Sequence, residues 1–247
     1  MSTESQTGQH DRDPQKEGPR LLVDVFTLTG HPGTGKTATL IGRDGLAPLL
    51  HIPKARIFQA GEEFRRERRR STGKEVLGFA VRSIHVDREL DSRMTEFMKN
   101  SLDTGTVIAE GRLAGWIAKK LIKEETEGKK PLRIVSILLE AEEEIRVRRV
   151  LRRDIRRNPS LTIEEVRKQI TERAVKDLEQ WRSAYPELAD IDPLDPNLVD
   201  LNKKRVYDLV VDTGPLEIPE VAGTIYNFLI DKDFVGLPPQ AQIYPDP

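Results

Sequence analysis

Three glycines, a lysine and two threonines stand together in Gly30-His31-Pro32-Gly33-Thr34-Gly35-Lys36-Thr37, at the spacing G-x-x-x-x-G-K-T. Residues of these types can hold a polyphosphate. Gly30, Gly33 and Gly35 let the backbone curl so that successive N–H groups converge on one anion. Lys36 supplies a mobile cation for the β- and γ-phosphates, and the Thr37 hydroxyl is placed to ligate Mg²⁺. An apolar run from Leu21 to Leu28 leads into the loop, and Ala38, Leu40 and Ile41 continue it with helical spacing. Strand, glycine loop and helix are the context that a phosphate-binding loop requires. A plain glycine-rich turn would not explain Lys36 and Thr37 directly after the last glycine.

The rest of the chain supplies the elements that must position this loop. Further strands are expected over Ala55–Ala60, Thr106–Glu110, Arg133–Leu139 and Val206–Val211. Between them the periodicity predicts helices: one from Gly35 to about Leu50, one opening at Glu62, short pieces over Glu75–Val81 and Asp87–Leu102, then Gly115–Ile122. Two long helices follow, from Glu142 and from a capping box at Thr162-x-x-Glu165 to about Ala184, and a closing helix covers Ile218–Ile230. Turns are expected at Asp103-Thr104-Gly105 and Glu127–Lys130. Alternating strands and helices imply an α/β fold, a parallel five-stranded sheet with helices on both faces. Ligands then gather beyond the carboxyl ends of the strands. Gly30, Gly61, Glu110 and Arg112 all lie just past such ends. An apolar strand ending in an acid, as at Glu110, is where a phosphate-loop enzyme keeps its metal-organising group.

Basic residues cluster twice. Arg65–Arg70 carries five arginines and one glutamate, which on a helix point all around the axis and read as a solvated face. Arg146, Arg149 and Arg153 are spaced three and four apart and share one helix face. They are placed either to meet an anion or to pair with Glu142–Glu144 and Asp154 along their own helix.

The chain of 247 residues is 37% hydrophobic and 33% charged, with 40 basic and 41 acidic residues. A net charge of −1 argues against a generally basic nucleic-acid binder. Cysteine is absent, which excludes disulfides, thiolate catalysis and cysteine-ligated zinc. No apolar run approaches the ~18 residues of a membrane span. Residues 1–20 read as a disordered polar tail without an apolar leader core, 21–231 as the folded domain, and 232–247 as a second tail. A cytoplasmic monomer is expected.

Four blocks resemble the nucleoside monophosphate kinases, most closely the archaeal-type cytidylate kinase family. They are Gly30–Thr37, Phe58-Gln-Ala-Gly-Glu-Glu-Phe-Arg65, Glu110-Gly-Arg-Leu-Ala-Gly-Trp116 and Tyr207-Asp-Leu-Val-Val-Asp-Thr213. The resemblance covers about residues 22–230. It implies a P-loop kinase fold with an acceptor-binding helical region over about 61–103 and lid helices over about 142–184. It implies MgATP as phosphoryl donor and a nucleoside monophosphate as acceptor. Residues Gly30 to Ala38 would bind the donor. Gly61, Arg65, Glu110, Gly111 and Arg112 would bind the acceptor, and Thr37 and Glu110 the metal. Lys36, Arg112, Arg149, Arg153, Arg173 and Arg182 would carry the transfer. Leu113 stands where bacterial-type relatives have an acid that helps recognise cytosine, so the base is left open. Asp192–Lys204 is longer and richer in proline than the resemblance leads one to expect.

Two rivals differ in chemistry. A P-loop kinase acting on a hydroxyl would use a carboxylate base, for which Asp87 and Asp91 are available. A nucleotide-binding module without catalysis is the other. A guanine-specific switch would need Asn-Lys-x-Asp, whereas Asn202-Lys203 is followed by Lys204-Arg205.

Overall fold

The first apolar run forms two strands instead of one. β1 (Arg20–Leu21) and β2 (Val25–Gly30) are divided at Asp24, whose carboxylate accepts the Arg133 N–H at 2.7 Å and whose own N–H donates to the Arg133 carbonyl at 2.9 Å. The computed structural model describes residues 20–72, 83–101, 105–122, 132–200 and 203–236. The expected helix over Glu75–Val81, the turn residues Asp103 and Thr104, and the turn at Glu127–Lys130 lie outside them.

The helix expected from Gly35 to Leu50 is two short ones, α1 (Lys36–Ile41) and α2 (Leu46–Leu49). They are separated by Gly42, where the chain leaves the helix against the Ala38 carbonyl. Next come β3 (Ile57–Gln59), α3 (Ala60–Thr72), α4 (Ile84–Lys99) and β4 (Val107–Glu110). α5 (Ala114–Ile117) passes into a π-helical stretch over Ala118–Ile122. β5 (Ile134–Glu140) leads to α6 (Glu143–Asp154) and α7 (Ile163–Ala184). The capping box expected at the start of α7 is present: the Thr162 hydroxyl accepts the Glu165 N–H at 3.2 Å, and the Glu165 carboxylate accepts the Thr162 N–H at 2.8 Å. β6 (Leu209–Asp212), α8 (Ile218–Asp231) and β7 (Val235–Gly236) complete the order.

The sheet is parallel and five-stranded, in the order β3-β4-β2-β5-β6. β2, with the glycine loop at its end, is central, and its six residues are all buried. Phe26 and Leu28 pack on one side with Ile108, Ile137, Leu40 of α1 and Ile225 of α8. Val25 packs on the other with Ala109, Leu138, Met94 of α4 and Ile117 of α5. α6 and α7 form an antiparallel pair with its own small core of Val147, Val150, Val166 and Ile170. Nearer its end, α7 joins the main core through Trp181.

Two segments without a clear pattern in the sequence are packed. The chain continues past Asp231, where Val235 is buried and β7 pairs antiparallel with β1. In the proline-rich stretch after Asp190, Leu194 and Leu198 plug into the core under Tyr207, and the Asp192 and Asp195 carboxylates accept the Leu194 and Asn197 N–H groups at 2.8 Å. Among the described residues no helix is long and apolar enough to cross a membrane.

Candidate active site

The loop after β2 turns through Gly33 and Gly35, with φ of +88° and +87°. The Lys36 ammonium bridges the loop, donating to the Gly30 carbonyl at 2.6 Å and the His31 carbonyl at 2.8 Å. The Thr34 hydroxyl donates to the same His31 carbonyl at 2.9 Å. In the first turn of α1, the Thr37 hydroxyl donates to the Glu110 carboxylate at 3.2 Å. Glu110 ends β4 and is buried, and the Gln59 amide at the end of β3 donates to the same oxygen at 3.0 Å. Two strand ends and the start of α1 thus meet at one carboxylate.

A cavity of about 530 Å³ opens in front of them. Pro32, Gly33, Gly35, Lys36, Thr37 and Ala38 form one wall. Gly61, Arg65, Glu110, Gly111 and Arg112 form the opposite one, with Ala60 and Phe64. Arg149, Arg152, Arg153 and Arg173 reach it from α6 and α7, and Gly214–Ile218 close the end above the loop. A larger cavity, about 630 Å³, runs along the other face of α3. It is lined by Glu62, Glu63 and Arg66 but by none of the loop residues, and its Glu63 pairs with Arg66 and Arg93.

Each arginine is held in its own way. Arg112 ion-pairs with Asp177 of α7 and stacks 5.2 Å from the centre of the Trp181 ring. Arg173, one turn before Asp177, reaches the same carboxylate with Nε at 3.6 Å. Arg153 makes two hydrogen bonds to the buried Asp154, both 2.8 Å. Arg149 donates to the Thr213 hydroxyl at 2.8 Å and carbonyl at 2.6 Å. The two sequence alternatives for α6 therefore both occur, since Arg153 pairs with Asp154 along the helix while Arg149 and Arg153 line the cavity. Arg146 instead packs its backbone on Gly33 and donates to the Ala141 carbonyl at 3.1 Å.

Of the expected site residues, Gly30, His31 and Thr34 are not in the cavity wall; they shape the loop from behind. Arg182 is exposed and away from the cavity. It follows Arg173 by nine residues on one helix, about two and a half turns, which puts it on the opposite face. Within α3, Arg65 reaches the cavity, whereas Arg66 pairs with Glu62 and Glu63 and Arg69 and Arg70 are exposed.

No family model matches the chain. The chain is similar to the cytidylate kinase of Methanopyrus kandleri, with 31% identity over 193 residues, 77% of this chain and 84% of the relative. It is also similar to that of Pyrococcus furiosus, with 30% identity over 191 residues, 77% of this chain and 80% of the relative. The chain belongs to the cytidylate kinase family. A crystal structure of a candidate kinase from Chloroflexus aurantiacus overlays with a TM-score of 0.50 at 19% identity, covering 85% of this chain and 98% of that one, and shares the fold.

The structure gives a physical reason for two of the blocks. A side chain at Gly115 would lie 2.6 Å from the Tyr207 ring and 3.0 Å from the Thr29 hydroxyl, which itself accepts the Gly115 N–H at 2.9 Å. The third and fourth blocks are thus pressed together under the site. Sequence reasoning missed Gln59, Arg152, Asp177 and Thr213 as site residues. Asp177 alone carried a sign, its i+4 spacing from Arg173.

The cavity is strongly cationic. Burial pushes the Lys36 ammonium down to about 8; Glu110 opposes the shift, and Arg112, Arg173 and Arg153 add to it. Burial, then Arg146, Lys36 and Arg112, lowers His31 to about 4, so its imidazole is neutral at neutral pH. Burial also lowers Arg65. Thr37 and Glu110 offer hard oxygen atoms side by side, and among the described residues no group of three His, Cys, Asp or Glu forms a complete cage. Such a pair fits Mg²⁺, an ion that keeps waters and leans on substrate phosphates.

Proposed function

We propose that the chain transfers the γ-phosphoryl group of MgATP to a nucleoside monophosphate, with CMP or dCMP as the acceptor. The observation that carries this reading is a single cavity with a phosphate-binding loop on one wall and Arg65 and Arg112 on the other, roofed by arginines of α6 and α7. Two polyanions brought face to face need this distribution of charge. A hydroxyl acceptor would need a carboxylate base, but neither Asp87 nor Asp91 lines the cavity, and Asp91 accepts the Tyr185 hydroxyl at 2.9 Å.

The acceptor phosphate is its own nucleophile, because its second pKa of about 6 leaves it mostly ionised at neutral pH. One of its oxygens forms the new bond to the γ-phosphorus, while the bond from that phosphorus to the β,γ-bridging oxygen breaks. ADP departs with the electron pair, and no proton need move. Lys36 and the loop N–H groups hold the donor. Arg65 and Arg112 hold the acceptor through forked hydrogen bonds. Arg149, Arg153 and Arg173 close over the transferred group and exclude water. Thr37 and Glu110 would hold magnesium, which would neutralise charge on the donor phosphates.

Lys36 gives this reading a pH signature. Phosphate oxygens favour the charged ammonium, so ATP binding raises the lysine pKa above its free value of about 8. Affinity for ATP is therefore full below pH 8 and falls as pH rises above it, approaching about tenfold per pH unit. Titration calorimetry between about pH 7 and pH 9.5 should show this slope. Lys36→Arg, whose cation does not titrate there, should flatten it.

The acceptor is tested by ADP production from MgATP with CMP, dCMP, UMP, AMP and GMP in turn. Turnover is expected with CMP or dCMP. Turnover with a purine monophosphate alone would keep the transfer and reject the base. Turnover with none would reject the acceptor class.

A further inference from the structure

Thr213 lies just past β6, is 2% exposed, and touches three parts of the site at once. Its hydroxyl accepts a hydrogen bond from Arg149 Nη1 at 2.8 Å, and its carbonyl accepts one from Nη2 at 2.6 Å. The single hydroxyl hydrogen has two carbonyls in reach, Glu140 at 2.9 Å and Thr34 of the phosphate loop at 3.1 Å. Its N–H donates to the Glu140 carbonyl at 2.9 Å. The residue is thus fixed to the end of β5, tied to the loop and bonded to α6 through one guanidinium.

We propose that Thr213 is a positioning residue for ATP, aiming Arg149 at the donor phosphates and registering α6 on the phosphate loop. This rests on the reading of the site given above. Two acceptors on one residue fix the guanidinium plane and leave its other N–H groups for the cavity, which Arg149 lines. The effect belongs to the donor side. Thr213 bonds the loop through Thr34, whereas the acceptor-side arginine Arg112 is held by Asp177 on a different helix.

Thr213→Val keeps the shape and removes the hydroxyl. It leaves Arg149 Nη1 without this acceptor and the Glu140 and Thr34 carbonyls without the hydroxyl hydrogen they share. The expected result is an about tenfold rise in KM for ATP, with KM for the monophosphate changed by less than about twofold. Thr213→Ser should restore the wild-type value. In an Arg149→Ala background Thr213→Val should have no further effect, since it acts through that arginine. Calorimetric ATP affinity, measured without any acceptor, should fall by the same factor, and this readout holds even if no monophosphate is turned over. If valine blocks folding in a thermal melt, Thr213→Ala replaces it in each measurement. An unchanged KM for ATP, an equal rise for both substrates, failure of serine to rescue, or additivity with Arg149→Ala would each overturn the proposal.

Discussion

Arg112→Ala is expected to lower kcat/KM with the monophosphate on the order of 10³-fold, while ATP affinity changes only severalfold. The guanidinium projects into the cavity across from Lys36 and is held by Asp177 and the Trp181 ring. On the proposed mechanism its forked donors meet the phosphate that attacks, so its loss falls on the transition state and on acceptor binding together. Lysine, a point charge without the fork, should recover little. Removing Arg112 also leaves the buried Asp177 with Arg173 at 3.6 Å as its remaining arginine contact among those described above. A stability loss on the order of 2 kcal/mol should follow, below the usual range for breaking a buried pair because Arg173 stays. The double change Arg112→Ala, Asp177→Asn separates the two effects: stability should return and activity should not. If activity returned with stability, Arg112 would be a structural residue only.

Gly33→Ala should lower Tm by about 6–12 °C and abolish the further rise that ATP confers on the wild-type protein. A Cβ at this position would lie 2.7 Å from the Arg146 carbonyl oxygen and 2.9 Å from its Cα, and these are helix backbone atoms that cannot swing aside. The residue also adopts φ of +88°, which costs any L-residue about 1–2 kcal/mol. Strain and clash together come to about 3 kcal/mol, offset in part by the alanine's stiffer unfolded chain. The alternative to strain is that the loop lifts off α6, which would scatter the N–H groups it aims at phosphate. Calorimetric melts with and without MgATP read both consequences. A Tm within a degree or two of the wild type would contradict the close contact between the loop and α6.

The phosphate loop was legible because its chemistry dictates its spelling, and the five parallel strands because apolar runs alternate with helical periodicity. Thr162 and Glu165 announced the start of α7 for a similar reason, a reciprocal bond that needs those two residue types at that spacing. What the sequence withheld depends on how elements pack. Arg173 and Arg182 look equivalent as letters, but the phase of one unbroken helix sends only the first to the cavity. Asp177 gains its role only when α7 lies over the end of β4 and meets Arg112. Thr213 is one small polar residue after a strand, and nothing in its spacing shows that Thr34, Glu140 and Arg149 converge on it. The β1–β7 pair involves two residues on each side, too few to carry a pattern. Strand order is likewise absent from a one-dimensional pattern, although it sets Glu110 beside Thr37.

The central claim is that the acceptor group is a phosphate, so that the product contains a new phosphoanhydride bond. Phosphorus NMR of the protein with MgATP and CMP tests this directly. The account predicts that the CMP resonance declines as the coupled α and β resonances of CDP grow, in step with ADP. Inorganic phosphate and ADP accumulating while CMP stays intact would contradict it.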